Sequence, residues 1–321
     1  MSGTRAAHAQ VIDGFGAADV FRPADLTIPA PPAGYLQIRV AATTVNPVDL
    51  QTRAGKAIPA GSARFPMILG WDVAGVIEQI GDGVDGWNVG DRVAAMTVQP
   101  AEQNGAYTEL INLSADLVAR VPGSLELEHA ATIPLTGLTA SQLVRTVDLP
   151  RGATLLVNGP TGGVGRLVVQ LASHAGVAVI AVTKPADQER AIELGAAQVV
   201  GRGDFADAVR DLYPDGVDAA IDVVGHAAAA AALGCVRDRG VFATVYSNYD
   251  DPGNKLHTQR GIRFHNVAVH PDTAELTTLL QRAGSGELAT PIEQTYPLSD
   301  AAQAHRHQEH GGLTGKLVLK P

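Results

Sequence analysis

The spacing of apolar positions changes twice along the chain. Up to about residue 113, apolar and polar residues alternate in short runs such as LQIRVAATTV (36–45), DVAGVIEQI (72–80) and AYTELINL (106–113). Turn-forming clusters such as Gly81-Asp82-Gly83 separate these runs, a pattern that predicts a compact β-rich region with irregular loops. Past Leu125 the spacing becomes helical in HAATIPLTGLTASQLVRTV (129–147), interrupted at Pro134. Strands and helices then alternate. The apolar run Thr154–Val157 predicts a buried strand, and RLVVQLASHA (166–175) places Leu167, Val168, Leu171 and Ala172 on one helical face. Gly176 ends that helix, and VAVIAV (177–182) is a β-branched second strand. GVDAAIDVVG (216–225) and GVFATVYS (240–247) predict further buried strands around the alanine-rich helix HAAAAAALGCV, and RFHNVAV (263–269) predicts a sixth. An amphipathic helix near 274–284 and the β-like tail GKLVLKP close the chain. The fold class is therefore α/β. A nucleotide-binding domain, residues 126–270, is expected as an insertion in a discontinuous β-rich domain, residues 1–125 and 271–321.

Strand, glycine turn, helix and strand between Ala153 and Lys184 form a βαβ unit, whose crossover should be right-handed. Gly159, Gly162 and Gly165 in NGPTGGVG (158–165) recur every third residue. Without Cβ atoms the backbone can turn tightly, approach a pyrophosphate and seat the helix against the sheet, while the helix N-terminus offers unpaired N–H groups. Gly163 and Val164 supply such amides, and they carry more of the load because Pro160 has no N–H. A dinucleotide site for NAD normally has Asp or Glu roughly 20 residues on, at the end of the second strand. Thr183-Lys184 stand there instead, a hydroxyl and a cation that suit a 2′-phosphate, so NADPH is the expected cofactor.

Composition narrows the partners. The 321 residues suffice for two domains, with 45% hydrophobic and 18% charged residues. A net charge of −9 without a basic block argues against nucleic acid and anionic membrane. No apolar run approaches a membrane span of about 18 residues or a signal-peptide core, which makes the cytoplasm the expected location. The single cysteine, Cys235, excludes internal disulfides and a cysteine-rich zinc lobe.

Seven segments spread over nearly the whole length carry a resemblance: NPVDLQTRAG (46–55), PMILGWDVAGVIEQIGDGVDGWNVGDRVAA (66–95), GAYTEL (105–110), AATIPLTGLTA (130–140), NGPTGGVG, IDVVG (221–225) and GKLVL (315–319). In that order they resemble the zinc-independent medium-chain dehydrogenase/reductases, in the quinone oxidoreductase and enoyl reductase branch. The resemblance implies a GroES-like β-rich catalytic domain and a Rossmann domain with a doubly wound parallel sheet. Zinc-dependent relatives carry Gly-His-Glu where this chain has Gly70-Trp71-Asp72, so no metal site is expected. His305, His307 and His310 in HRHQEH are read as a solvated helix face rather than a metal site.

By resemblance, Asn46 faces the nicotinamide, where its amide would stabilise the transition state, position the cofactor or only shape the loop. Asp49 is expected to hold the same loop through backbone hydrogen bonds. The tyrosines that many quinone oxidoreductases carry nearby are replaced by Gln51 and Ala57. Trp71 is a candidate for that aromatic surface or a plain core residue, and Tyr107 lines the substrate pocket or packs between strands. Thr136 is placed near the nicotinamide, with the strand ends Val224-Gly225 and Tyr246-Ser247. Arg202 stands where relatives often carry a tyrosine beside the adenosine ribose. It would add a forked donor for a 2′-phosphate or remain solvated. The expected activity is NADPH-dependent reduction of a quinone or of the C=C bond of an α,β-unsaturated carbonyl. An enoyl-thioester reductase and a non-catalytic NADPH-binding protein are the alternatives. A homodimer joined along RFHNVAV is expected, because family members commonly pair through an edge strand of the nucleotide-binding sheet.

Overall fold

The structure, a computed structural model, describes residues 4–99, 104–246 and 254–321, so the Ser247 expectation lies outside the described residues. Its internal contacts divide the chain into two compact units, residues 1–135 with 271–321 and residues 136–270. No helix among the described residues is long and apolar enough to cross a membrane.

The first unit opens with β1 (Arg5–Ile12), β2 (Phe21–Ile28), β3 (Tyr35–Val45), β4 (Met67–Ile68), β5 (Asp72–Ile80), β6 (Arg92–Met96), β7 (Leu110–Ser114) and β8 (Val118–Arg120). β1 lies between β2 and β4 in a small sheet, while β3 pairs antiparallel with both β5 and β7. Leu36, Ile38, Val73, Ile77, Val93, Ile111 and Leu113 form one core beside these strands. Each such side chain, fully buried, contributes about 1.5–3 kcal/mol from apolar burial. The short helix α1 (Pro47–Arg53) follows β3 directly, with Pro47 at a position where a missing N–H costs nothing. Helix α2 (Leu127–Ala130) and the residues to Leu135 also belong to this unit. Their attachment is physical: Leu135 N donates to the buried Asp72 carboxylate at 2.7 Å and Thr132 Oγ1 lies 2.6 Å from Thr290 Oγ1. The division therefore falls ten residues beyond position 125 of the sequence reading.

The second unit begins within α3 (Pro134–Val147), which starts where Pro134 interrupts the helical pattern. Strands β9 (Thr154–Asn158), β10 (Ala178–Thr183), β11 (Gln198–Gly201), β12 (Val217–Asp222), β13 (Val236–Thr244) and β14 (Arg263–Asn266) form one parallel sheet in the order β11-β10-β9-β12-β13-β14. That is the doubly wound order, which reverses direction beside β9. The connecting helices include α4 (Gly163–His174), α5 (Gln188–Glu193), α6 (Phe205–Leu212), α7 (His226–Gly234) and α8 (Asn254–Arg260). With helices covering both faces, the strands read as continuous apolar runs rather than alternating ones. β14 ends at Asn266, three residues short of the expected strand, and occupies one edge of the sheet.

The chain then returns to the first unit through α9 (Thr273–Gly284), β15 (Ile292–Pro297), α10 (Ala301–His310) and β16 (Lys316–Lys320). β16 pairs antiparallel with β3, with Leu317 opposite Val45. This register delivers Lys316 to the start of α1, next to Asn46.

Candidate active site

In the second unit the glycine turn joins β9 to α4. Gly159 has φ +87°, which a side chain would strain, and a Cβ on Gly165 would stand 1.9 Å from the Gly159 carbonyl oxygen. The turn is thus closed on itself tightly enough that position 165 admits only glycine. Gly162 is the N-cap of α4, and Gly163, Val164 and Gly165 form its first turn, where N–H groups have no partner within the helix. Arg166, which sequence reasoning passed over as an ordinary helix residue, is 3% exposed, and its Nη2 donates to the Thr161 carbonyl at 2.8 Å. It braces the turn and sets a fixed positive charge behind it.

At the end of β10, Thr183 is 2% exposed and its hydroxyl has no hydrogen-bond partner among the described residues. Lys184 and Arg202 are exposed, and the Arg202 N–H donates to the Thr183 carbonyl at 2.8 Å. The chain thus brings a buried hydroxyl and two cations to the place where the acidic residue of an NAD site would stand. Asp187 is turned to Arg190, 3.1 Å away.

Asp222 organises the neighbouring strand ends. Its carboxylate accepts from Asn158 Nδ2 at 2.6 Å, Gly225 N at 2.9 Å, Thr244 Oγ1 at 3.3 Å and Val224 N at 3.4 Å. One side chain therefore ties together the carboxyl ends of β9, β12 and β13, although burial pushes its pKa upward. The Tyr246 ring packs over Gly225, where a Cβ would come within 3.0 Å of it. A Cβ on Gly159 would likewise meet the Val223 and Val224 side chains at 2.9 Å. Asp222 was quoted in the IDVVG segment, but its partners at 158 and 244 gave no local signal. Thr136 lies buried in the first turn of α3.

In the first unit, Asn46 is 1% exposed and its amide is committed on both sides. Nδ2 donates to Asp72 Oδ2 at 2.7 Å, and Oδ1 accepts from the Lys316 ammonium, which also donates to the Val45 carbonyl at 3.0 Å. Asp72, fully buried, additionally accepts from Thr44 Oγ1 and Leu135 N. Asp49 accepts from Asn46 N at 2.9 Å and Gly70 N at 3.1 Å, the loop-holding role its position suggested. Burial first, and the nearby Asp72 charge, push the Asp49 pKa up to about 7, against the Asn46 N–H bond and the Lys316 charge. Asn46 is thereby a fixed member of a charged network rather than a loose amide.

Tyr107 takes the packing alternative: it is fully buried and its hydroxyl lies 3.0 Å from His305 Nε2. His305 corrects the reading of HRHQEH as a solvated face. It is fully buried, with Nδ1 3.2 Å from Arg53 Nη1. Because guanidinium only donates, Nδ1 accepts and Nε2–H donates to Tyr107. Burial, followed by the Arg53 charge, lowers the His305 pKa to about 3, which keeps the ring neutral. His307 Nδ1 lies 2.8 Å from the Tyr296 hydroxyl, and only His310 is exposed.

This donor set does not fit a zinc ion. Indole offers no lone pair at position 71, and the Asp72 oxygens are taken up by the three donors above. Burial raises the Cys235 thiol pKa to about 11. The described residues contain no group of three or more His, Cys, Asp or Glu placed to hold a metal.

Residues 32–123 match the alcohol dehydrogenase GroES-like domain family and residues 194–319 the zinc-binding dehydrogenase family. A 2-haloacrylate reductase of Burkholderia sp is 30% identical over 332 residues, spanning 98% of this chain and 98% of that protein. An NADPH-dependent alkenal/one oxidoreductase of Arabidopsis thaliana chloroplasts is 28% identical over 98% of this chain and 79% of its own length. The solved quinone oxidoreductase of Coxiella burnetii superposes with a TM-score of 0.91 at 28% identity, covering 99% of this chain and 100% of that one. The chain belongs to the medium-chain dehydrogenase/reductase superfamily, in its quinone oxidoreductase and enone reductase branch. It is an oxidoreductase that uses a nicotinamide cofactor.

Proposed function

We propose that this protein is an NADPH-dependent, zinc-independent reductase of quinones or of the C=C bond of α,β-unsaturated carbonyls. The observation that carries the cofactor assignment is the end of β10, where the Thr183 hydroxyl, without a partner among the described residues, stands with Lys184 and Arg202 in place of an acidic residue. The naming of the Arabidopsis relative as NADPH-dependent supports the same choice. In this reading Gly159, Gly162, Gly163, Val164 and Gly165 cradle the pyrophosphate. Val224, Gly225, Tyr246 and Thr136 flank the nicotinamide. Asn46 acts through its fixed network and Trp71 lines the substrate. NADPH supplies a hydride when bound; the chain's residues orient the reactants and keep water away.

Loss of NADPH absorbance should be followed with 2-cyclohexenone, methyl vinyl ketone, 1,4-benzoquinone and a crotonyl thioester. Turnover with an enone or quinone is expected; turnover with the thioester alone would favour the biosynthetic reading, and binding without turnover a non-catalytic one. NADPH should bind more tightly than NADH, and Lys184→Ala should narrow that preference by about three- to tenfold, because an exposed cation is screened. Equal wild-type Kd values for the two cofactors would exclude the assignment. The open edge of β14 supports a homodimer, which light scattering at micromolar concentration should show as twice the mass of the 33.2 kDa chain. A monomer would exclude pairing there.

A further inference from the structure

Helix α4 is buried at every position from Gly165 to Ala172. Most of its side chains there are apolar, as a helix packed on a sheet requires. Arg166 and Gln170 are the polar ones, one turn apart on the same face. Burying a guanidinium is far more costly than burying a leucine, and only the bonds its charge makes offset that cost. The first turn is also the wrong end of a helix for a cation, because the positive end of the dipole lies there. An anion seated on the turn reverses that sign.

Arg166 grips the end of the glycine turn twice. Its backbone N–H donates to the Gly162 carbonyl at 3.0 Å. Its side chain runs back toward the helix N-terminus and donates from Nη2 to the Thr161 carbonyl at 2.8 Å, five positions earlier. Gln170 Nε2 donates in turn to the Arg166 carbonyl at 3.1 Å. The turn holds itself more weakly: Gly162 N reaches the Gly159 carbonyl only at 3.4 Å, and Pro160 has no N–H. Gly162 is exposed and Gly163 and Val164 are half-buried, so the turn keeps an open side for a ligand. A carbonyl swung toward that side would repel a phosphate. Arg166 holds the last two carbonyls of the turn on the helix side.

We propose that Arg166 is a positioning residue for the pyrophosphate of the cofactor, acting from beneath the turn by holding the Thr161 and Gly162 carbonyls back and by lending its charge. This rests on the NADPH reading above, and every residue involved belongs to the second unit. The phosphates themselves meet backbone N–H groups of the turn. The guanidinium, charged at any working pH, fixes the direction in which those groups point and lowers the cost of bringing a doubly charged group to them. It also accounts for a proline being tolerated at position 160, where one amide is given up. The contribution falls on the pyrophosphate half of the cofactor and not on the adenosine 2′-phosphate, which the end of β10 is placed to receive.

Arg166→Met keeps a long unbranched side chain and removes both the charge and the bond to Thr161. Calorimetric titration should show Kd for NADPH and for 2′-phospho-ADP-ribose raised about tenfold or more. Adenosine 2′-monophosphate, which has no phosphate for the turn, should bind within about threefold of its wild-type Kd. Arg166→Lys, still charged and still a donor, should return NADPH affinity to within about threefold of wild type. A wild-type signal serves even if Arg166→Met does not fold. The buried Arg166 Nε–H, assigned by its loss in Arg166→Lys, should shift in the 1H–15N spectrum with 2′-phospho-ADP-ribose and stay in place with adenosine 2′-monophosphate. An unmoved Nε–H signal, or a folded Arg166→Met with wild-type affinity for NADPH, would overturn the proposal and leave the cofactor reading intact. So would a lowered Tm with equal weakening of all three ligands, the mark of a purely structural residue. A wild type that binds neither NADPH nor NADH would remove that reading and this inference with it.

Discussion

Asp72→Ala is expected to destabilise the protein by about 3–5 kcal/mol, because it orphans Asn46 Nδ2, Thr44 Oγ1 and Leu135 N together. It also withdraws one of the two carboxylates that share the surroundings of the buried Lys316 ammonium. Asp72→Asn should cost about half as much, since an amide oxygen still accepts but its N–H₂ faces donors. Urea or thermal unfolding of the two variants measures the difference. Activity should fall with stability in both, as Asn46 loses the partner that orients it. An Asp72→Ala protein as stable as wild type would show that the network is ornamental.

Gly165→Ala should abolish useful cofactor binding. The added Cβ falls 1.9 Å from the Gly159 oxygen and 2.7 Å from the Gly159 carbonyl carbon, so backbone rather than a flexible side chain must yield. Opening the turn costs about 1–3 kcal/mol as overpacking. It also displaces the amides meant for the phosphates. With two charge-assisted hydrogen bonds lost, Kd for NADPH should rise about 100-fold or more. Gly162→Ala is the matched control, because its Cβ would meet nothing closer than the Gly159 oxygen at 3.7 Å. Its Tm should be unchanged, so any weakening there reports contact with the cofactor itself. Calorimetric titration of both variants and the wild type decides the matter; a folded Gly165→Ala protein that binds NADPH as tightly as wild type would contradict a phosphate role for the turn.

What the chain discloses from its sequence depends on how far apart the partners lie. The βαβ unit is legible because strand, turn and helix are contiguous and the apolar spacing changes at the turn. The loop-holding role of Asp49 is legible for the same reason: it sits three residues after Asn46, whose N–H it accepts. The Asn46–Lys316 bond joins positions 270 residues apart, and only the pairing of β16 with β3 brings them together. His305 misleads because three histidines in a polar stretch read as solvent-facing. Arg53 and Tyr107, 252 and 198 residues away, enclose it, and a neutral imidazole with both nitrogens engaged is stable there. The boundary near residue 125 shifts to Leu135 for a similar reason. Bonds from Leu135 N to Asp72 and between Thr132 and Thr290, 63 and 158 residues apart in sequence, tie that segment to the first unit.

The central claim is that hydride passes from NADPH to the β-carbon of an electron-poor conjugated system. NADPH carrying deuterium at the transferable C4 position, incubated with the wild-type protein and an enone in ordinary water, tests it directly. The account predicts a saturated product with one deuterium, located at the β-carbon by NMR. Deuterium appearing in solvent, at the α-carbon or on a carbonyl carbon reduced to an alcohol would contradict it.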